Sequence, residues 1–278
     1  MAKILSDSQL RHFQSQGFLA GLDVFSIEQC EKFRACTEEF ESHHAEDAAW
    51  ALDIKSNLLF DWVYEFCTFP LLIDIVSDLI GPDVLLTNSI FRIKEPFSST
   101  HYDWHQDAAR IEVSPTFVIV YISISDATTE NGCLRVIPGS NQQIEPFHLT
   151  SYAERQVARV SEVDESSAVD MVLQQGQVGI FDCNTIHGSS SNNSRNRRFA
   201  LVNDYSPATA QQSVGTGSGQ LVRGSNSRKL WGEEPKPQGS FTQDNIMGRR
   251  MILNAYPENV LMGPLAKGQQ PSFADQQL

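Results

Sequence analysis

Ahead of Val84 the apolar positions recur at helical spacing, and beyond it they switch to alternating or unbroken runs. Ser6-Asp7-Ser8 followed by Leu10 and Phe13, with a break at Gly17, predicts a short capped helix, and Phe18-Leu19 a first short strand. Ser26 is placed to cap a second helix with Ile27, Cys30, Phe33 and Cys36 on one face, running to about His44. Residues 58–80 predict two more helical segments, broken near Pro70 and ended by Gly81-Pro82, the second burying Leu71, Ile75, Val76 and Leu79. Strands are expected at 84–88, 90–94, 116–125, 133–137, 178–181 and 199–204, with turns at Asn131-Gly132 and Pro138-Gly139-Ser140. The polar, acidic stretch 142–174 is expected to be a surface excursion or lid.

Helices first and then at least six short strands predict a mainly β fold with flanking helices, its core a double-stranded β-helix of the jelly-roll, cupin-like kind. A single domain is expected over 1–278: a mostly helical part to 83, the jelly roll over 84–207 and a tail over 208–278. The tail is rich in Gly, Ser, Gln and Pro, with apolar anchors at Leu221-Val222, Leu230-Trp231 and Met251-Ile252-Leu253. It reads either as an ordered wrap that helps close a pocket or as partly disordered chain.

Charge narrows the partners. A formal net charge of −13 and a pI near 4.9 argue against nucleic acid or an anionic membrane, the only basic cluster being Arg195-Asn196-Arg197-Arg198. The start of the chain has no long apolar run, so the cytoplasm is the expected compartment. Five cysteines without Cys-x-x-Cys spacing fit reduced thiols. The expected partner is a small molecule.

The candidate chemistry sits in Thr100-His101-Tyr102-Asp103-Trp104-His105-Gln106-Asp107. In an extended segment His105 and Asp107 project to one side and can share a cation. His187, at the end of an apolar run that reads as a buried strand, is the best third ligand. Two imidazoles and a carboxylate leave one side of a metal open, the pattern of non-heme Fe(II) oxygenases. Zn(II) also accepts such a set, but no His-Glu-x-x-His is present, and no Gly-x-Ser-x-Gly elbow suggests a serine hydrolase. Arg198 opens the next strand-like run, across the polar turn 189–196, where its guanidinium suits the free carboxylate of a dicarboxylic co-substrate. A structural salt bridge is the alternative. His101 and Asp103 share the strand face of His105, and Lys94, Arg110, Asn203 and Tyr205 flank the presumed mouth, as substrate contacts or as structural residues.

Together these residues resemble the phytanoyl-CoA dioxygenase family of Fe(II)- and 2-oxoglutarate-dependent oxygenases. The resemblance rests on Phe91-Arg92-Ile93-Lys94-Glu95-Pro96, Trp104-His105-Gln106-Asp107, the run from Asp126 through Asn131-Gly132-Cys133-Leu134-Arg135 to Pro138-Gly139-Ser140, and His187-Gly188-Ser189 with Arg198. It covers about residues 6 to 207. It implies His105, Asp107 and His187 as iron ligands, Arg198 with Ser189 as the grip on 2-oxoglutarate, and hydroxylation with O2 of an unactivated C–H bond in a secondary-metabolite, amino-acid-like or phosphonate-like small molecule, succinate and CO2 being released. Tyr121 departs from the Trp of many relatives and falls where the co-substrate grip is expected; Asn141 replaces a usual His. The stretches Lys55 to Trp62, Leu79 to Pro82 and Leu221 to Gly224 resemble a bacterial natural-product branch that holds hydroxylases and halogenases. In its halogenases a small residue replaces the ligand carboxylate, so Asp107 implies hydroxylation or another oxidation, such as desaturation. A non-catalytic cupin-like binding protein is the remaining alternative.

Overall fold

In the computed structural model, which describes residues 3–109, 113–152, 155–212 and 217–255, the two predicted caps are both capping boxes. Ser6 and Ser26 accept from the backbone N–H three residues on, and Gln9 and Gln29 return the bond to the cap N–H, satisfying two otherwise orphaned donors at each end. From these caps run α1 (Asp7–Gln16) and α2 (Ile27–His43), with β1 (Phe18–Asp23) between them. Gly17 ends α1 with φ at +82°, and a Cβ there would stand 2.5 Å from Thr185 Oγ1, so both backbone and space require glycine.

The helical layer continues with α3 (Ala45–Ala51), α4 (Asp61–Cys67) and α5 (Pro70–Ile80). Pro70 occupies the first position of α5, where its missing N–H costs no hydrogen bond. The buried stripe of α5 is Leu72, Ile73, Ile75 and Val76. Leu71 and Leu79, expected in it, are only partly buried: the stripe is turned towards Ile73, and Leu79 lies in the last turn.

The expected strands 84–88 and 90–94 are one strand, β2 (Val84–Lys94). The remaining strands are β3 (Tyr102–His105), β4 (Val113–Ser114), β5 (Val118–Ser123), β6 (Leu134–Val136), β7 (Phe147–Tyr152), β8 (Arg155–Val160), β9 (Val169–Met171) and β10 (Gln177–Asp182). They are followed by β11 (His187–Ser189), β12 (Arg198–Pro207), β13 (Gln211–Gln212), β14 (Ser218–Arg223) and β15 (Gly232–Glu233), and the described chain closes with α6 (Gln243–Ala255). Two sheets carry the jelly roll: a seven-stranded one ordered β1-β10-β5-β12-β2-β14-β15 and a six-stranded one ordered β7-β8-β3-β11-β6-β9. The stretch 142–174 is therefore not simply a surface excursion, since β7, β8 and β9 belong to the smaller sheet.

Alternation in the larger sheet explains its unbroken apolar runs, because both faces are covered. Val118, Val120 and Ile122 of β5, and Phe199 and Leu201 of β12, join Phe33, Phe60 and Leu72 in the core under the helices. Ile119, Tyr121 and Ala200 face the other way, into a second core with Leu134 and Val136 of the smaller sheet.

The described part of the tail is an ordered wrap. β14 pairs with the Val84–Leu86 end of β2, and a buried Lys55–Glu234 ion pair ties the segment to the turn before α4. Arg249 of α6 donates to the carbonyls of Trp50 and Ile54. No described helix is long and apolar enough to cross a membrane. All five cysteines are free thiols.

Candidate active site

The pleat decides which side chains meet between the sheets. β12 pairs with β2 so that Arg198 lies opposite Lys94 and Ala200 opposite Arg92; on the smaller sheet β11 pairs with β3, His187 opposite His105. His187 does not continue the strand β10 as expected. Residues 183–186 carry the chain from β10 in the larger sheet to β11 in the smaller one, and the turn after Ser189 carries it back to β12.

His105, Asp107 and His187 come together, their ligand atoms all within 4.8 Å of one another. Nε2 of each histidine stands 3.6 Å from a different oxygen of Asp107, a spacing that one cation with bonds of about 2 Å can bridge. Asp107 is not in the same extended segment as His105. β3 ends at His105 and Asp107 opens a single 3-10 turn over Asp107–Ala109. The corner is held by Gln106, 1% exposed, whose amide donates to the carbonyls of Gln143, at 2.8 Å, and Asn184 and accepts from the Glu145 N–H at 2.8 Å.

Both imidazoles are oriented from behind. Nδ1 of His105 faces the Asp103 carbonyl at 2.7 Å and Nδ1 of His187 the Thr185 carbonyl at 3.0 Å, so in each ring Nδ1 carries the proton and Nε2 keeps its lone pair. Burial, and then the adjacent His105, push the His187 imidazole down to about 4, which leaves it neutral and ligand-competent at neutral pH.

The triad opens on a cavity of about 110 Å³, walled by Ile119, Leu134, Phe181 and Val202 and reached by Arg92, Tyr102, Tyr121, Ser189 and Arg198. Arg198 is 2% exposed; Nη1 donates to the Gly132 carbonyl and Nε has no partner. The buried Tyr121 hydroxyl has none either, and the guanidinium lies 5.8 Å from its ring centre. Two partnerless polar groups at one end of an apolar cavity fit a carboxylate that accepts from both. The other arginines of the basic cluster are elsewhere: Arg195 is exposed, and Arg197 pairs with Glu41 and Glu95.

Several expected substrate contacts lie away from the cavity wall. Tyr205 and Asn203 are fully buried; the Tyr205 hydroxyl donates to the Cys67 carbonyl at 2.6 Å and accepts from Asn203 at 3.2 Å, so both are structural. Lys94 is 1% exposed behind the Arg198 end, donating to Ser189 Oγ at 2.8 Å and to the Ser190 carbonyl. Burial, and then the Arg198 charge, push its ammonium down to about 7. His101 precedes β3, is exposed, has Nδ1 on the Ser99 carbonyl and does not line the cavity. Asp103 lies 4.0 Å from Arg159. Arg110 lies outside the described residues. No described residue of the tail reaches the cavity wall.

Sequence reasoning missed Arg92, Tyr102 and Gln106. Arg92 had a signal, since it shares the pleat parity of Lys94. Tyr102 had none: it faces the cavity together with His105, three positions on, because the pairing of β3 with β11 is irregular between His187 and Ser189.

The chain matches the family model described as Phytanoyl-CoA dioxygenase (PhyH) over residues 13–200. A probable alpha-ketoglutarate-dependent hypophosphite dioxygenase of Stutzerimonas stutzeri is 26% identical over 190 residues, which is 66% of this chain and 66% of that protein, so the match spans about two thirds of the relative. Among solved structures, the apo non-heme monooxygenase ThoJ shares the fold with a TM-score of 0.81 at 23% identity, over 90% of this chain and 96% of that one. CytC3 with Fe(II) and alpha-ketoglutarate does so with a TM-score of 0.63 at 19% identity, over 87% and 98%.

Proposed function

The chain belongs to the phytanoyl-CoA dioxygenase family of iron(II)- and 2-oxoglutarate-dependent oxygenases, and from that premise we propose that it hydroxylates an unactivated C–H bond of a small molecule. Iron(II), which His105, Asp107 and His187 would hold, would supply the oxidising chemistry, in which 2-oxoglutarate and O2 give succinate and CO2 and the second oxygen atom goes to the substrate. The observation that carries this reading is one cavity holding both an open-sided His105, Asp107 and His187 set and, beyond it, the partnerless Arg198 Nε and Tyr121 hydroxyl.

Each residue has a defined duty. His105 and His187 present fixed Nε2 lone pairs, and Asp107 brings the one negative charge of the set. Arg198 and Tyr121 receive the far carboxylate of the co-substrate, with Ser189 at the same end, braced by Lys94 from behind. Ile119, Leu134, Phe181 and Val202 keep the reacting region dry. Because Asp107 keeps a carboxylate in the position that a halide would need, oxidation rather than halogenation is the expected outcome.

The test is succinate release with Fe(II), 2-oxoglutarate and O2 across a panel of small molecules, with product mass recorded, beside Fe(II) binding by the wild type, His105→Ala and His187→Ala. Wild-type protein should bind one Fe(II) and give a product heavier by one oxygen atom. Stoichiometric Fe(II) in both histidine variants would overturn the ligand set, and succinate formation with no product from any panel member would overturn the hydroxylation.

A further inference from the structure

Once the proposed co-substrate is in place, one cation among the described residues of the cavity has no duty. Of the two carboxylates of 2-oxoglutarate, the far one belongs with Arg198, and the other, next to the keto group, belongs with the metal. Arg92 remains. It sits on β2 one full pleat period, roughly 7 Å, from Lys94 and reaches the same cavity as the triad. Its cross-strand neighbour, Ala200, is small and carries no polar group that could pair with it.

Among the described residues the Arg92 side chain makes no hydrogen bond or ion pair; its guanidinium carbon lies 5.2 Å from the ring centre of Tyr102. Other arginines are matched directly: Arg223 to Asp74 at 2.6 Å, Arg135 to Asp170 at 3.0 Å, and Arg197 to two glutamates. The acids that favour the Arg92 charge from a distance are Asp53, Asp107 and Asp204. Asp107 is committed to the metal in the proposed enzyme, and Asp204 accepts from Asn88 at 3.1 Å. A partly buried guanidinium with five donors and no acceptor, beside the oxidising centre, is a recognition element awaiting an anion.

We propose that Arg92 anchors an oxyanion, a carboxylate or phosphonate, carried by the molecule oxidised in this cavity. This rests on the reading of the cavity as a 2-oxoglutarate-dependent oxidation site. Fork geometry would hold the two oxygens of the anion side by side and so present the same C–H bond to the metal at every encounter.

The probe is methylphosphonate, titrated calorimetrically into protein loaded with Mn(II) and saturating 2-oxoglutarate, so that Arg198 is already occupied. Wild type should bind it saturably. Arg92→Met should weaken binding at least tenfold, Arg92→Lys should fall between, and 2-oxoglutarate affinity should be the same in all three. Arg92→Gln replaces the Met variant if that protein does not fold. Equal methylphosphonate binding by wild type and variant, or no saturable binding by wild type, overturns the assignment. So does a selective loss of 2-oxoglutarate affinity in Arg92→Met, which would place Arg92 on the co-substrate. Failure of wild type to bind Mn(II) or 2-oxoglutarate would instead overturn the oxygenase reading itself. In the succinate assay, acids should outperform their methyl esters with the wild type, and that preference should vanish in Arg92→Met.

Discussion

Replacing Arg198 by Met keeps most of the side-chain volume and deletes the guanidinium, and its two consequences separate cleanly. Without co-substrate, Arg198 is a nearly fully buried charge with one bond, to the Gly132 carbonyl, and a partnerless Nε. Losing that bond costs about 1–3 kcal/mol, but removing a desolvated charge offsets much of it, so the ligand-free protein should change in stability by only about 1 kcal/mol. With co-substrate bound, the variant leaves a carboxylate in a sheltered site with its main partner gone. Breaking one side of a buried pair costs about 3–5 kcal/mol, and Lys94 behind Ser189 recovers part of it. At about 1.4 kcal/mol per tenfold, the Kd for 2-oxoglutarate should rise about a hundredfold or more. The assay is calorimetric titration of 2-oxoglutarate into Mn(II)-loaded wild type, Arg198→Met and Arg198→Lys, alongside thermal melts with and without ligand. Arg198→Lys should be intermediate, since it restores a point charge without the fork. A rise in Kd below about fivefold, with the metal still bound, would refute the assignment of the far carboxylate to Arg198.

Asp107→Gly would open a coordination position but remove one of the three proposed protein ligands, so Fe(II) affinity and hydroxylation should fall before any halogenated product appears. Product masses with excess chloride or bromide check this, and halogenation by wild type would exclude Asp107 as a ligand. Tyr205→Phe deletes the bond to the Cys67 carbonyl and leaves a buried acceptor unmet, which should cost about 1–3 kcal/mol in a denaturant melt with kcat/KM unchanged. A KM effect without destabilisation would return Tyr205 to the substrate. Truncation after Pro207 removes Glu234 from the buried Lys55 and strips β14 from β2; at about 3–5 kcal/mol for the stranded charge, against a typical total of about 5–15, the product should not fold cooperatively. A truncated protein that melts cooperatively and releases succinate without product would instead give the tail a part in closing the pocket.

What could be read from the sequence follows from where the signals are local. Helix caps are written in four consecutive residues, so Ser6 and Ser26 announced α1 and α2 correctly. The strands of the larger sheet are covered on both faces and show as apolar runs, so β5, β10 and β12 were legible. Of the smaller sheet, β6 was legible within 133–137 but most of the other strands were not. β3 is only partly buried along its length, β11 has three residues, and β7 exposes Phe147 and Leu149, so neither alternation nor an unbroken run marks them. The clustering of His105, Asp107 and His187 was anticipated from residue type and spacing even though the supposed local geometry was wrong: a sharp corner at Gln106, not an extended strand, aims Asp107 at His105. Tyr205 and Asn203 were misjudged because the pleat was not counted from Arg198: an odd number of positions away, they fall on the opposite face, with Phe199 and Leu201 under the helices.

The same limit applies to charge. A net charge of −13 argues against a nucleic-acid partner, yet it conceals a cavity lined by Arg92 and Arg198, with Lys94 on the same sheet face behind the Arg198 end. In water such a cluster would be screened within about 10 Å, but between two sheets, with Ile119, Leu134 and Phe181 around it, the screening is weaker and the field is directed inward. An acidic exterior with a cationic interior favours anions small enough to enter and disfavours polyanions at the surface. Two of the three basic groups are tied to one end, Lys94 through Ser189 and Arg198 through Gly132, while Arg92 stands a pleat away with no side-chain acceptor among the described residues. A single dicarboxylate spanning from Arg198 to the metal leaves that separation unexplained, whereas a second anion, brought by the molecule being oxidised, accounts for it.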